Sequence, residues 1–337
     1  MAHRGYQRGI FSASTEKGRW RMDQRGAIPS DRREDNTEPK VTVIIPVYNR
    51  EDYVEETIRS VLLQTYGNIE IIAVDDGCTD NSRGILDKFG DRIRILEHSG
   101  HTNRGQSAAI NLAMHSSSSE YVAILDSDDV WLPDKIRIQV DFLESNPAVG
   151  LVYCNGYAID SRGSILHDIY APGHVEKNDL EELLKNCYFL VPNNSLVRRN
   201  VFEVAGDFDE TLRLDQDHDM AIRVAEITRL AYVDEKVFCY RRHKNSLSYI
   251  LSTTRMWQNE LIILDKARAR YPYSRKAIRS RKAGINFRLG QCLASEKKYL
   301  RSAYHFLVSG ILDPVRAVKV LLGVERIWSR PSFEVQK

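Results

Sequence analysis

Short apolar runs that stop at carboxylates constrain this chain more than any other feature. Residues 121–135 read YVAILDSDDVWLPDK: the run Tyr121 to Leu125 ends abruptly at Asp126, Asp128 and Asp129. Val122, Ile124 and their neighbours favour a buried strand. A strand that is apolar throughout and then ends in acid fits the carboxyl edge of a parallel sheet, where ligands bind in open α/β folds. Three carboxylates within four residues repel one another. They are tolerated when solvated, or when a divalent cation sits among them. Pro133 reads as the first residue of a helix with Ile136, Val140 and Leu143 on one face and Asp134 as a first-turn charge.

The residues before this stretch repeat its logic. Val41 to Val47 (VTVIIPV) predicts a buried strand, with Pro46 marking where pairing stops. Asn49 reads as an N-cap for a helix that turns Val54, Ile58, Val61 and Leu62 to one side. A second strand, Ile69 to Val74, ends at Asp75-Asp76-Gly77. Thr79 to Ser82 then supply start signals for a helix carrying Ile85, Leu86 and Phe89. A third strand is predicted near Ile93 to Glu97, and Ala108, Leu112 and Ala113 suit a helix lying close to a sheet. This alternation of strand and helix predicts a parallel sheet with right-handed crossovers. Two acid-tipped strands would then share one rim. Neither GxGxxG nor GxxxxGK[ST] occurs, which excludes the dinucleotide and P-loop fingerprints.

After about Val149 the alternation loosens. A strand from Gly150 to Ala158, a helix near Asp179 to Asn186 and a strand at Asn193 to Val197 are predicted. A third acidic cluster follows, in GDFDE at 206–210 and LDQDHDM at 214–220. The helix after it is read with Met220, Val224 and Ile227 inward and Arg223 outward. Ala231 to Tyr240 predicts a late strand, and Arg241 to Ser246 a basic, polar loop. From about Arg255 the pattern is helical, with an antiparallel pair before Asp313-Pro314 and a last helix at about Val315 to Trp328.

Charge divides the chain the same way. Residues 250–337 carry 18 Lys and Arg against 6 Asp and Glu, whereas 41–249 carry 21 against 34. An acidic centre suits a metal site, and a basic end suits an anionic partner. Docking on the preceding domain and contact with an anionic membrane surface both remain open for 250–337. Nucleic acid is not expected, because the basic region has neither a stacking platform nor a known motif. The five cysteines are widely spaced with no CxxC, which fits a reducing compartment rather than a disulfide framework. Without a run of some 18 apolar residues or a signal-type apolar region, the expected location is cytoplasmic, with peripheral contact at the inner face of the plasma membrane. Residues 1–40 are polar and lack periodicity, and read as a disordered basic arm.

The segments VTVIIPVYNREDYVEETIRSVLLQTYGNIEIIAVDDGCTDNS, NRGQSAAINLA, YVAILDSDDVWLPDKI and GDFDETLRLDQDHDMAIRVA, in this order and spacing, resemble the family 2 glycosyltransferases of GT-A fold. The resemblance covers about 41–245. It implies a Rossmann-like, mostly parallel sheet flanked by helices over 41–249, to which the helical pattern of 250–337 adds a C-terminal extension. It also implies inverting transfer from a nucleotide-diphosphate sugar, UDP-sugars favoured, assisted by Mg²⁺ or Mn²⁺. Carried over residue by residue, Pro46, Tyr48 and Asn49 would stand at the mouth of the nucleotide pocket. Asp76 would accept from the base imide with Asp75 beside it, and Arg104 is a lesser contender for phosphate. Asp126-Ser127-Asp128 would be the DxD motif, with Asp126 and Ser127 toward the sugar-nucleotide and Asp128 on the metal. Asp217 would be the general base, with Asp215 and Asp219 as rivals, and His243 would lie near the diphosphate or metal.

The chemistry is consistent with that assignment. A diphosphate leaving group gathers charge that a hard cation held by carboxylates can neutralise. Inversion needs one base on the face opposite the leaving group. The chain departs from the family at Gln216, where Glu is common, and at Cys78, where Ser is usual. It also lacks the QxxRW motif, which argues for non-processive transfer to a glycan, lipid-linked or similar acceptor. The competing expectation is a non-catalytic nucleotide-sugar-binding or scaffold protein of glycan assembly, with Gln216 as the mark of lost activity.

Overall fold

The structure is a computed structural model that describes residues 38–186, 189, 191–244 and 254–322. The predicted N-terminal arm, except for 38–40, lies outside the described residues. So do Cys187, Asn245-Ser246 and the end of the last predicted helix.

The strands β1 (Val41–Val47), β2 (Ile69–Asp75), β3 (Arg94–Glu97) and β4 (Tyr121–Ile124) form a parallel half-sheet in the order β3-β2-β1-β4. The helices between them are α1 (Val54–Leu62), α2 (Ser82–Asp87) and α3 (Gln106–His115). Every residue of β1 and β4 is buried, as continuous apolar runs in a covered parallel sheet should be. Val54, Ile58, Val61 and Leu62 of α1 face this sheet. Each such side chain contributes about 1.5–3 kcal/mol by leaving water. Pairing of β1 with β4 ends at Ile44, while pairing with β2 runs on to Val47 opposite Asp75. Pro46 therefore lies past the end of one ladder but inside the other.

Beyond β4 the sheet turns mixed. The order continues β8-β6-β9-β5, where β5 is Val130–Trp131, β6 is Val149–Asp160, β8 is Ser195–Arg198 and β9 is Arg229–Arg242; β7 (Ile165–Asp168) pairs with β6. β8 is antiparallel to β4 and β6, β5 is antiparallel to β9, and β6 is parallel to β9. Around this half stand α4 (Lys135–Ser145), α5 (Leu180–Lys185), the kinked turn α6 (Val191–Asn194), α7 (Arg199–Ala205) and α8 (Gln216–Ile227). The helix predicted from Pro133 starts two residues later, at Lys135.

Two expectations for α8 fail. Arg223 is buried, not outward, because it pairs with Asp219 one turn back and donates to the Ala205 carbonyl at 2.7 Å. Ile227, read as inward, is 41% exposed in the last turn. The C-terminal helices are α9 (Thr254–Arg270), α10 (Arg275–Ser295), α11 (Tyr299–Leu312) and α12 (Pro314–Leu321). Among them α9 docks on α8: Lys266 Nζ reaches Asp209 at 2.8 Å and Asp219 at 3.0 Å, and Asn259 donates to the Leu214 carbonyl.

Candidate active site

The carboxyl ends of β1, β2 and β4 lie along one rim, so the loops that leave them meet. Asn49 adopts a left-handed φ of 52° and does not cap α1, whose N-cap is Tyr53 with no side-chain bond. Its side chain brackets Thr79 instead: Oδ1 accepts from Thr79 N at 2.8 Å, and Nδ2 donates to Thr79 Oγ1 at 3.1 Å. Asn49 thus ties the β1 loop to the β2 loop. Pro46 is buried beneath this junction, while Tyr48 is 45% exposed beside it.

Asp75 and Asp76 are both buried at the end of β2. Asp75 Oδ1 accepts from Cys78 N at 2.9 Å. Asp76 accepts from two consecutive amides, Arg104 N at 2.7 Å and Gly105 N at 2.8 Å, and so fixes the entry to α3. Gly77, at φ 77°, lets this loop approach closely: a Cβ there would sit 2.6 Å from Asn103 N. The Arg104 side chain points elsewhere, 58% exposed and 3.8 Å from Glu210. Asp75, Glu97 and His101 bring possible ligand atoms within 4.8 Å of one another. However, Arg83 Nη1 lies 2.8 Å from Glu97 and 3.7 Å from Asp75, so a guanidinium already supplies positive charge there.

The acids after β4 are held from three directions. Asp126 N donates to Asn193 Oδ1 at 2.7 Å, Asn193 Nδ2 returns a bond to Asp126 Oδ2 at 3.0 Å, and Gln106 Nε2 donates to Oδ1 at 2.6 Å. Asn193 reaches this position from the kink before β8, at φ 74°. Burial, then the neighbouring charges of Asp128 and Asp217, push the Asp126 carboxyl up to about 7. Ser127 is buried between the two aspartates.

Asp128 Oδ2 accepts from Arg50 Nε at 3.1 Å and lies 3.0 Å from His243 Nε2. Burial alone would raise this carboxyl, but the His243 bond and the Arg50 charge outweigh it and hold it below its ordinary value. Asp129 is fully buried. Oδ1 accepts from Arg241 N at 2.6 Å, and Oδ2 has no hydrogen bond among the described residues. β5 pairs with the end of β9, which is why Arg241 and His243 run back past these acids; the His243 ring and the Arg241 guanidinium both rest on Tyr53.

The cluster is short of positive charge. Burial and its acidic neighbours hold Asp126 and Asp129 above the usual carboxylate range, and Asp129 keeps a buried orphan oxygen. Such a donor set fits a hard divalent cation. His243 Nε2, beside Asp128 Oδ2, is a nitrogen that could share that cation.

The third acidic cluster opens α8 opposite this group. Asp217 is half-buried; its Oδ1 accepts from His218 N at 2.9 Å, and burial lifts its carboxyl against the pull of His218. Asp215 adopts φ 63° and is pushed up to about 8, first by burial and then by Glu260 and Asp217. Asp219 is fully buried against Arg223 and Lys266. Gln216 Nε2 donates to Gln106 Oε1 at 2.7 Å, so an amide chain runs Gln216–Gln106–Asp126.

His218 sits behind Asp217. Its Nε2 is 3.0 Å from the Leu183 carbonyl and its Nδ1 is 2.9 Å from Glu260 Oε1. A carbonyl and an ionised carboxylate can only accept, so both ring nitrogens carry hydrogen and the ring is an imidazolium. Glu260 is ionised despite burial, because His218 and Arg281 together hold its carboxyl down to about 2.

Sequence reasoning missed Arg50, Gln106, Asn193, Arg241, His218 and Glu260. Arg50 adjoins a motif residue and carried a signal. Asn193 stands 67 positions from its partner and Glu260 stands 42 from its own, and neither has a local cue.

Residues 42–206 match the family model described as glycosyl transferase family 2. An uncharacterised glycosyltransferase of Rickettsia prowazekii is 33% identical over 214 residues, 60% of this chain and 64% of that protein. A UDP-Glc:alpha-D-GlcNAc-diphosphoundecaprenol beta-1,3-glucosyltransferase of Escherichia coli is 36% identical over 148 residues, 44% of this chain and 56% of that one. The chain thus spans less than two thirds of the length of either relative.

Among solved structures, Staphylococcus aureus TarS 1–349 with UDP-GlcNAc superposes with a TM-score of 0.63 at 16% identity, over 84% of this chain and 92% of that one. The mannosyltransferase PcManGT of Pyrobaculum calidifontis, with GDP-Man and Mn²⁺, gives 0.55 at 20%, over 84% and 81%. At these identities the likeness is one of fold. With the motifs, the rim of acids and the family match in agreement, residues 42–206 are a glycosyltransferase family 2 domain, and the fold is GT-A.

Proposed function

We propose that residues 41–249 form a catalytic domain that transfers one sugar at a time, with inversion, from a nucleotide-diphosphate sugar to an acceptor hydroxyl. A UDP-sugar is the favoured donor, and a glycan or lipid-linked molecule the acceptor. The observation that carries this reading is the convergence of Asp126, Asp128 and Asp217, from two distant segments, on one side of the sheet. The relatives and fold neighbours point the same way: one is named for a diphosphoundecaprenol acceptor, and two are solved with a UDP- or GDP-sugar.

In this reading Tyr48 and Asn49 flank the nucleotide and Asp75 and Asp76 shape the base end, with Arg104 left to the surface. Asp126 and Ser127 orient the sugar-nucleotide. Asp128, with His243 beside it, would hold Mg²⁺ or Mn²⁺. That ion, when bound, neutralises the diphosphate as the glycosidic bond breaks. Asp217 takes the acceptor proton on Oδ2, since Oδ1 is engaged by the His218 amide. Its rivals are weaker: Asp215, pushed up to about 8, is protonated at neutral pH, and Asp219 is committed to two cations. Gln216 serves to hold Gln106, so its presence in place of Glu does not require a lost base. A thermal-shift panel of nucleotide sugars with Mn²⁺, followed by nucleotide release in the presence of acceptor, tests the proposal. Absence of both stabilisation and release across the panel would overturn it.

A further inference from the structure

The last two described helices turn an apolar stripe to solvent. On α11, Leu300, Tyr304, Leu307 and Ile311 recur at spacings of 4, 3 and 4, one side of a helix with 3.6 residues per turn. They are 91%, 62%, 64% and 70% exposed. The opposite side of α11 is where it is held: Ser302 Oγ donates to the Gly290 carbonyl at 2.7 Å and Ser309 Oγ to the Ala283 carbonyl at 2.8 Å. The stripe therefore faces directly away from α10. Next along the chain, Val315, Val318 and Leu322 are also exposed. Isolated exposed apolar residues are ordinary, but four in line on one helix, followed by three more within eleven residues, are not.

Charge indicates what covers the stripe. Neither α11 nor α12 contains an acidic residue, and Arg301 and Lys319 stand beside the stripe. Under Arg301 opens a cleft of about 480 Å³ between α9, α10 and α11, lined by Arg255, Lys298, Arg301 and His305. Its one acid, Glu296, is engaged by Lys298 at 2.7 Å and by Thr254 at 2.6 Å. Arg255 and Arg301 make no ion pair among the described residues. An apolar stripe with exposed tyrosines and flanking unpaired cations is the pattern of a helix lying in a bilayer interface. A second copy of the chain would instead bring two such sets of cations together. No described helix is long and apolar enough to cross a membrane, so the fit is to lying on one.

We propose that α11 and α12 are a docking surface for an anionic phospholipid bilayer. The stripe seats at the headgroup–acyl boundary, and Arg255 and Arg301 meet lipid phosphate. The proposal deepens the lipid-linked-acceptor reading by naming the surface that meets the membrane, and rests on that reading for its purpose but not for its test.

The test is cosedimentation of the full chain with vesicles of phosphatidylcholine, and of phosphatidylcholine mixed with phosphatidylglycerol, without donor or acceptor. The expected result is about thirtyfold greater binding to the anionic vesicles, from Arg255 and Arg301 at roughly 1 kcal/mol each near the surface, reversed by added salt. Leu307→Glu with Ile311→Glu should abolish binding while leaving circular dichroism and the donor-induced thermal shift unchanged. Arg255→Glu with Arg301→Glu should lower binding to the neutral-vesicle level. No binding at low salt, equal binding to both vesicles, or a wild-type dimer that the Leu307/Ile311 variant converts to monomer would each overturn the proposal. Loss of the transferase reading, by contrast, would leave vesicle binding unchanged.

Discussion

His218 and Glu260 form a buried ion pair, Nδ1 to Oε1 at 2.9 Å, that joins the start of α8 to the C-terminal helices. Arg281 on α10 closes the group at 2.5 Å from the second carboxylate oxygen. The pair stands directly behind Asp217, whose carboxylate accepts the His218 amide. The first turn of α8 is therefore held from a region outside the matched family segment.

Removing Glu260 should show this coupling. Glu260→Gln leaves two buried cations, His218 and Arg281, without their counter-charge, and breaking such a group costs about 3–5 kcal/mol. The sign with pH follows from the shift. A carboxyl held at about 2 in the fold contributes stability above its unfolded value, and that stability is lost as pH falls toward 2. The urea-midpoint difference between wild type and variant should be large at neutral pH and narrow steadily below about pH 4.5. A difference that does not vary with pH would show that the carboxylate charge is not what stabilises this junction.

Asp217 should separate binding from chemistry. Asp217→Asn keeps the size of the side chain and an oxygen for the His218 amide but removes the proton acceptor. Turnover should fall by about 10²–10⁴-fold, with the donor-induced thermal shift preserved. Burial raises this carboxyl, so the acid side of the wild-type kcat profile should lie above the ordinary carboxylate value near 3.9. Full turnover by the Asn variant would pass the base role to another group.

The proposed metal dependence would rest on Asp128. Chelation should stop transfer, and Mn²⁺ should restore it in the wild type. Asp128→Ala should remove the metal-dependent part of donor binding, because it deletes the carboxylate on which both Arg50 and His243 converge. Calorimetry of donor binding with and without Mn²⁺ reads this directly. Equal donor affinity with and without the ion, in wild type, would remove metal from the mechanism.

Much of the rim is legible in the sequence because each strand advertises its own end: β1, β2 and β4 are short apolar runs that stop at the residues lining the rim. What surrounds the acids is not legible. Periodicity placed Arg223 outward because it reports hydrophobicity, not a partner one turn away and a carbonyl on α7. Asn49 has the residue type of a helix cap, yet its left-handed backbone sends the side chain to another loop. The mixed half of the sheet also has no local signature, since β8 pairs with β4 across more than seventy residues.

The amide chain Gln216–Gln106–Asp126 offers the finest discrimination. Gln106 Nε2 donates to Asp126 at 2.6 Å, while its Oε1 accepts from Gln216 at 2.7 Å. Gln106→Leu strands two groups at once, Asp126 Oδ1 and the Gln216 amide. Gln216→Leu strands only Gln106 Oε1 and leaves the bond to Asp126 intact. Each should cost about 1–3 kcal/mol of stability in urea unfolding, the penalty of an unpartnered buried polar group. Only Gln106→Leu should also weaken Mn²⁺-dependent donor binding, because only it frees the carboxylate that faces Asp128 and Asp217. Equal loss of donor binding in both variants would mean that the helix starts, not the Asp126 carboxylate, are what this chain positions.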